Sequence, residues 1–562
     1  MLNKIRSLFN SHGIQGYIVP SSDEFQNEYV LEENNRLQFI TQFSGSNGIL
    51  VILQEVGLFF TDGRYLEQAA RTLDAQLYEI HNIWSLRSFD WSKYLKAGDA
   101  IGYDPMLFTA KQLEIFASLA TLPIETNLVD QIAEKSANQY KHDIRIYSAQ
   151  YCQQAAVDKL INLRKNIKDK QAYFISDTSS ICWMLNLRDF GPSTVGMFDC
   201  YFLVNATDAF LFTDAKLSAQ VIDYLGTLQI TTLQVRSIYT AFNDYAQIKV
   251  DRATCSLGIL KLMPNQAHEA SYKTWQAIKD PLQIDCSIKL HIEDGAALCE
   301  FFAWLEQAQN ADECDLADAI INFRQKSALY IKESFHAICG FGQNSSIIHY
   351  RAIKSSARKI QGDGLLLVDT GGHYFGGTTD VTRVISLGNP SDQHKLAYTL
   401  VLKGHINLAS SIFAQNASGQ NLDALARQFL WQHKMDYPHS TGHGVGNFLN
   451  VHEGPGGISA NNNFPLQAGM IVSNEPGYYK AGEFGIRIEN LMYVKDLNDG
   501  FYAFENLTLL PFEAKLIDAN MLTELEKSFI IKYYSNIRLH VMPKLSIIAQ
   551  DWLERQLCAI NF

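Results

Sequence analysis

The stretch Leu365-Leu-Leu-Val-Asp369-Thr-Gly-Gly372 reads as a buried strand that ends in an acid and then turns. Gly376-Gly-Thr-Thr-Asp380-Val-Thr-Arg383-Val-Ile385 follows at once and reads as a second strand with a second acid. A hairpin between them brings both carboxylates to one end of a sheet. Three more short sequences of this kind lie downstream: Ser440-Thr-Gly-His443-Gly-Val-Gly446, Ser473-Asn-Glu475-Pro-Gly-Tyr-Tyr479 and Gly485-Ile-Arg-Ile-Glu489-Asn490. In the last, period-two alternation predicts a single strand with Arg487 and Glu489 on one face and Ile486 and Ile488 on the other. Charges aimed inward at other acids are costly unless they are paired or metal-bound.

Taken singly, each acid is more simply read as a solvated or salt-bridged carboxylate. Taken together, Asp369, Asp380, His443, Glu475 and Glu489 are enough to hold two divalent cations and leave room for a water between them. Nine of the 15 histidines fall between 336 and 452, which concentrates imidazoles where the glycine-rich turns and two of the acids stand. Carboxylate oxygens with one imidazole suit Mn²⁺, Co²⁺, Zn²⁺ or Fe²⁺, and the lack of thiolates argues against a structural zinc. Two such ions about 3.5–4 Å apart activate a shared water and polarise a carbonyl. The expected class is a metal-dependent hydrolase.

The rest of the chain bounds this reading. Its 562 residues are too many for one core, and domains of roughly 100–200 residues suggest about three units. A hydrophobic content of 47% and a charged content of 19% fit a globular protein. The formal net charge of -12, without a long Lys/Arg block, argues against nucleic acid or an anionic membrane surface as partner. No apolar run reaches the roughly 18 residues that span a bilayer. The N-terminal Leu2, Ile5 and Leu8 have helical spacing, but polar residues interrupt them, so no signal-peptide core is expected. The 9 cysteines are odd in number and form no Cys-x-x-Cys, so they are expected as free thiols of a cytoplasmic protein.

Composition and pattern divide the chain into residues 1–145, 146–285, 286–512 and 513–562. The first two segments alternate short apolar strands with helices, an α/β texture. Phe210-Leu-Phe-Thr-Asp214 echoes Phe59-Phe-Thr-Asp62, which makes a duplicated domain plausible. The polar stretch Glu134–Asp143 is the expected linker. From 286 the pattern turns to α+β, with helices predicted at Ile292–Gln309, Leu316–Ala328, His394–Phe413 and Leu422–His433 over an antiparallel sheet. The tail Thr523–Cys558 is predicted to be mostly helical.

Residues 345–512 resemble the catalytic domain of the pita-bread (M24) metallopeptidases, which include methionine aminopeptidase, prolidase, creatinase and aminopeptidase P. All five ligand positions match in type and order. The longer resemblance is to the three-domain, cytosolic form of Xaa-Pro aminopeptidase. It is carried by Pro20-Ser-Ser-Asp-Glu-Phe-Gln-Asn-Glu-Tyr29, Phe43-Ser-Gly-Ser-Asn-Gly48, Thr61-Asp-Gly-Arg-Tyr65, Trp183-Met-Leu-Asn-Leu-Arg188, Val401-Leu-Lys-Gly-His405 and Asn450-Val-His-Glu-Gly-Pro455. The fold it implies is two creatinase-like α/β domains, then a pita-bread catalytic domain with a C-terminal helical extension.

The resemblance also implies roles. Asp369 would bind one metal and His443 the other, with Asp380 and Glu489 bridging. Glu475 would be both a ligand and the proton shuttle. His349 and His452 match substrate histidines, and His439 matches another active-site histidine. Arg487 is a partner of the acids, and Arg64 matches an arginine that reaches a substrate site, expected across a homodimer. His405 is expected only to pack or to support the site from behind. The family often has Asp before the first glutamate, where this chain has Asn474; that exchange keeps hydrogen bonding and loses charge. The implied reaction releases the N-terminal residue from peptides with proline second, using a water activated between two cations, most simply Mn²⁺, with Zn²⁺ or Co²⁺ as alternatives. A prolidase that cleaves only Xaa-Pro dipeptides is the enzymatic alternative. A catalytically silent binding protein on the same scaffold is the other.

Overall fold

The computed structural model describes residues 1–133, 140–308 and 310–560. Residues 134–139 of the expected linker, and the end of the predicted helix at Gln309, lie outside the described residues. The chain divides into two compact units. One comprises Met1–Ile146, Ala155–Ser193 and Met197–Tyr272; the other comprises Tyr147–Gln154, Thr194–Gly196 and Lys273–Phe562.

The first unit holds two six-stranded sheets. In the first, β1 (Gly16–Pro20), β2 (Ile49–Leu53), β3 (Gly57–Thr61), β4 (Tyr78–Asn82), β5 (Ala100–Tyr103) and β6 (Ala120–Pro123) lie in the order β4-β3-β2-β1-β5-β6. The second uses β7 (Gln171–Ile175), β8 (Tyr201–Val204), β9 (Ala209–Phe212), β10 (Ile230–Leu233), β11 (Gln247–Val250) and β12 (Gln266–His268), in the order β10-β9-β8-β7-β11-β12. Strand senses match as well: β1–β2 and β7–β8 are antiparallel, while β3–β4 and β9–β10 are parallel. The short echo in the sequence therefore marks equivalent places, since Phe59 and Phe210 sit on the third strand of each set. Both echoing strands are apolar because both faces of each sheet are covered.

In the second unit, the helix α1 (Pro281–Leu305) begins before the predicted Ile292, because Asp280 caps it and Pro281 occupies its first turn. Later helices are α2 (Glu313–Arg324), α3 (Asp392–Ala409), α4 (Gly419–Trp431), α5 (Glu524–His540) and α6 (Ile547–Cys558). The last two form the predicted helical tail, which is broken at Met542–Lys544, where Pro543 cannot continue a helix.

These helices cover antiparallel sheets. β13 (Ile338–Phe341), β14 (Gly364–Thr370) and β15 (Val381–Leu387) form a three-stranded sheet in that order. A six-stranded sheet contains β16 (Gly442–Gly444), β17 (Glu453–Ile458), β18 (Ile471–Asn474), β19 (Asn490–Asp496) and β20 (Phe501–Asn506), with Ile412–Ala414 at its edge. Leu408, Leu422 and Ala426 of α3 and α4 bury against Ile458, Val472, Met492 and Val494 of that sheet. Among the described residues no helix is long and apolar enough to cross a membrane.

Candidate metal centre

The predicted hairpin exists and sets the first two acids. Asp369 pairs across β14–β15 with Thr382, and Thr370 with Val381, so Asp369 and Asp380 stand at the same end of the sheet. The chain between them makes its own small hairpin, Gly372–Tyr374 with Gly377–Thr378. Arg324 of α2 braces this corner: it is fully buried, pairs with Asp294, and donates to Thr370 Oγ1 (2.6 Å) and the Gly371 carbonyl (3.0 Å). Gly371 is needed here, because a Cβ would lie 2.2 Å from the Thr379 carbonyl oxygen.

The other three ligand candidates come from one short strand and two strand ends. His443 is at the centre of β16, and Glu475 is the first residue past β18. Glu489 lies between Phe484–Arg487 and β19. The single strand predicted over this last segment is in fact two. Phe484–Arg487 pairs with Gly477–Lys480, while β19 pairs with β18. The chain changes sheets at Ile488–Glu489, which alternation within a short window does not reveal. Arg487 and Glu489 still both face the acids.

One ligand atom each from Asp380, His443 and Glu489 lie within 4.8 Å of one another. His443 Nε2 is 3.5 Å from Asp380 Oδ2 and 3.4 Å from Glu475 Oε1. The other ring nitrogen, Nδ1, is 2.9 Å from the Gly444 carbonyl. A carbonyl can only accept, so Nδ1 carries a proton, and Nε2, which faces the carboxylates, is the nitrogen a cation would take. Asp369 accepts from Arg487 Nη2 on Oδ2 (2.5 Å), while its buried Oδ1 has no hydrogen-bond donor among the described residues. A buried carboxylate oxygen left open beside three other acids is what a cation would satisfy. The donor set therefore fits divalent metal.

The electrostatics agree. Burial, then the negative charge of Asp380, pushes Asp369 up to about 7 despite Arg487. Burial and Asp380 likewise push Glu489 well above the usual carboxylate range, and burial raises Glu475. At His443 burial disfavours the charged ring, yet Asp380 and Glu475 prevail and raise it to about 9. Burial of the acids and the negative charge around His443 are both penalties that divalent cations would relieve.

The predicted histidines gather at the same place. The rings of His443 and His452 meet edge to face with centroids 4.3 Å apart. His439 Nδ1 lies 4.0 Å from Glu475 Oε2, and its Nε2 is 2.9 Å from the Tyr479 hydroxyl. His349 is half-buried beside Ile348, whose carbonyl accepts from Arg487 at 3.3 Å. Arg64 belongs to the other unit, where it forms a two-pronged pair with Asp62 (2.9 and 2.8 Å). His405 packs behind the site, as expected. It is buried and held neutral, pushed down to about 3 by that burial, with Nδ1 3.1 Å from the Asn474 carbonyl. Asn474, the departure from the family pattern, donates to the His405 carbonyl (2.9 Å) and so bonds away from the carboxylates.

Three supporting residues carry no signal in the sequence. Thr382 Oγ1 donates to Glu489 Oε2 (2.8 Å) and accepts from Arg487 Nε (3.1 Å). Ser473 Oγ is 3.2 Å from Glu475 Oε1 and accepts from the His443 amide (2.9 Å). Tyr479 accepts from Arg487 Nη1 (2.6 Å) and links it to His439. Period-two spacing from Arg487 and Glu475 could have suggested only that Ser473 and Tyr479 share their side.

Residues 288–496 match metallopeptidase family M24, and residues 500–560 match the C-terminal region of that peptidase. Residues 1–131 and 135–289 each match a creatinase/prolidase N-terminal domain. A probable Xaa-Pro aminopeptidase P of Laccaria bicolor is 34% identical over 99% of this chain and 92% of its own length. The crystal structure of the Caenorhabditis elegans X-prolyl aminopeptidase, described as a cytosolic enzyme with a di-nuclear active site, superposes with a TM-score of 0.93 at 29% identity. It covers 100% of this chain and 99% of its own. The Pyrococcus horikoshii prolidase shares the fold over 64% of this chain and 99% of its own, at TM-score 0.52 and 21% identity. The chain belongs to metallopeptidase family M24, in the Xaa-Pro aminopeptidase P group that carries two creatinase/prolidase N-terminal domains and a C-terminal region.

Proposed function

We propose that this protein is a metal-dependent Xaa-Pro aminopeptidase, releasing the N-terminal residue from peptides with proline at the second position. The observation that carries the reading is the convergence of Asp380, His443 and Glu489 within 4.8 Å beside an Asp369 oxygen that no donor among the described residues satisfies. Full-length similarity to relatives named for this activity supports the substrate class, while the prolidase likeness covers 64% of the chain.

Asp369, Asp380, His443, Glu475 and Glu489 would hold two divalent cations. When bound, such cations lower the pKa of a water and polarise the scissile carbonyl. Mn²⁺ is the reading for their identity, from the oxygen-rich donor set. Glu475 takes the proton of the attacking water and delivers it to the proline nitrogen as the C–N bond breaks. His452 and His349 steady the carbonyl oxygen, and His439, tied to Tyr479, sits beside Glu475. Arg487 holds Asp369 and, through Thr382, Glu489. A proline nitrogen has no N–H in the peptide, so peptidases that read that hydrogen fail on the bond. We place the enzyme in the cytosol as a homodimer, with Arg64 serving the substrate site, and keep the division at 145, 285 and 512.

The test compares Arg-Pro with Arg-Pro-Pro after EDTA treatment and after Mn²⁺ is restored. Turnover of the tripeptide that disappears with EDTA and returns with Mn²⁺ is expected. Activity confined to the dipeptide would identify a prolidase, and no activity on either would favour a binding protein.

A further inference from the structure

Arg383 follows Thr382 on β15 and therefore points to the opposite side of the sheet, away from the carboxylates. It is 1% exposed. Its Nε donates to the Pro511 carbonyl (3.0 Å), and Nη1 donates to the carbonyls of Thr382 (2.8 Å) and Glu489 (2.7 Å). Nη2 donates to Asn490 Oδ1 (2.8 Å), the Leu510 carbonyl (2.7 Å) and the Tyr533 hydroxyl (3.1 Å). The guanidinium also lies 5.0 Å from the centre of the Phe512 ring. None of these partners is a carboxylate. A buried guanidinium bonded only to neutral acceptors is costly unless negative charge lies close by. Here the carbonyls of Thr382 and Glu489 tie the guanidinium to the strand and the turn that carry the acid cluster on their other side.

The cage around Arg383 is built largely from the C-terminal region. Leu510, Pro511 and Tyr533 all lie beyond residue 496, where the peptidase match ends. Tyr533, on α5, is the hub. Its hydroxyl receives Asn490 Nδ2 (3.3 Å) and the Leu510 amide (3.1 Å), besides Arg383. The turn that carries Glu489 is thus held on one side by Thr382 and on the other by Arg383, Asn490 and Tyr533.

We infer that Arg383 is a positioning residue for Glu489 and that the C-terminal extension, through Tyr533, sets how tightly the centre holds its cations. The inference rests on Glu489 being a metal ligand. The extension is then part of the metal-holding apparatus rather than only a cover for the core.

The test uses the full chain, stripped with EDTA and titrated with Mn²⁺ alone by calorimetry, with thermal melts of the metal-free forms. Tyr533→Phe and Arg383→Lys are compared with Glu526→Gln. That control weakens the bond between α5 and Lys403 (2.7 Å), which does not involve the Glu489 turn. Tyr533→Phe is expected to weaken Mn²⁺ binding about 10-fold and Arg383→Lys by at least as much, the range for groups that orient metal ligands. Glu526→Gln should stay within about 2-fold of wild type even if it melts as early as Tyr533→Phe. Unchanged affinity in Tyr533→Phe, or a loss in Glu526→Gln that tracks its stability, would overturn the inference. If Arg383→Lys does not fold, Tyr533→Phe decides alone. Wild-type protein that binds no Mn²⁺ would instead overturn the metal-centre reading beneath it.

Discussion

The N-terminal unit has an acid cluster of its own, and its oxygens are occupied in a way those of the catalytic unit are not. Asp23 accepts from the amides of Phe25 and Asn27 and from Asn27 Nδ2, while Asp199 accepts from Asn27 (3.0 Å) and Asn34 (3.3 Å). Glu24 is held by Arg36 at 2.5 Å. In the catalytic unit one oxygen of Asp369 has no donor among the described residues, and His443 points Nε2 toward Asp380 and Glu475. Both clusters crowd carboxylates together, with Asp23 buried in one and Asp369, Asp380 and Glu489 buried in the other. They differ in whether protein donors saturate the acceptors. Acids that protein donors satisfy are a proton-linked element of structure; open acids beside an imidazole nitrogen are candidates for a ligand set.

The strongest way to break this contrast is to remove a shared ligand. Asp380→Ala or Glu489→Ala should reduce peptide turnover far beyond the roughly 10–100-fold typical of outer partners, and should lower the metal bound per chain. Elemental analysis of the dialysed protein alongside the assay checks both. Wild-type-like activity in either variant would mean that the open oxygens are not a two-cation site.

A smaller effect is expected one step out. His452 touches His443 by ring contact, and its reading is substrate contact rather than ligation. His452→Ala should lower kcat by about 10²–10⁴, the contribution of a positioned acid–base or oxyanion group, with metal content unchanged. Loss of metal in this variant would move His452 into the ligand set.

The five candidate residues stood out because short strands and turns beside glycines announce themselves locally. Asp369 closes an apolar run, and Asp380 reopens the next strand after Gly376-Gly377. The repeated α/β texture similarly showed through one apolar echo, since equivalent strands bury equivalent side chains. What was hidden depends on separation in sequence. Thr382 meets Glu489, and Arg383 meets Tyr533, across more than 100 residues. No periodicity encodes such meetings, because they follow from how sheets and helices pack. The change of sheet at Ile488–Glu489 was hidden for the same reason: its cause is the partner strands, β18 for one half and Gly477–Lys480 for the other.

The smallest effect sharpens the contrast from the saturated side. In the N-terminal unit burial, followed by the charge of Asp23, pushes Asp199 up to about 8, and burial raises Asp23 to about 6. Glu24 and Glu33 add to the negative field at Asp199, and Asn27 opposes it. Because these folded-state values lie above the ordinary carboxylate value, the folded chain holds more protons than the unfolded one between about pH 4 and 8. The protonated pair therefore stabilises the fold at low pH, and that contribution is lost as pH rises through this window. Asp199→Asn removes one ionisation while keeping a carbonyl acceptor. Its melting temperature should exceed that of wild type by more at pH 8 than at pH 5, with the gain growing by about 2–4 °C. Melts of the full chain at the two pH values measure it. An equal gain at both would mean that the asparagine amides already neutralise the cluster, and that a proton is not what completes it.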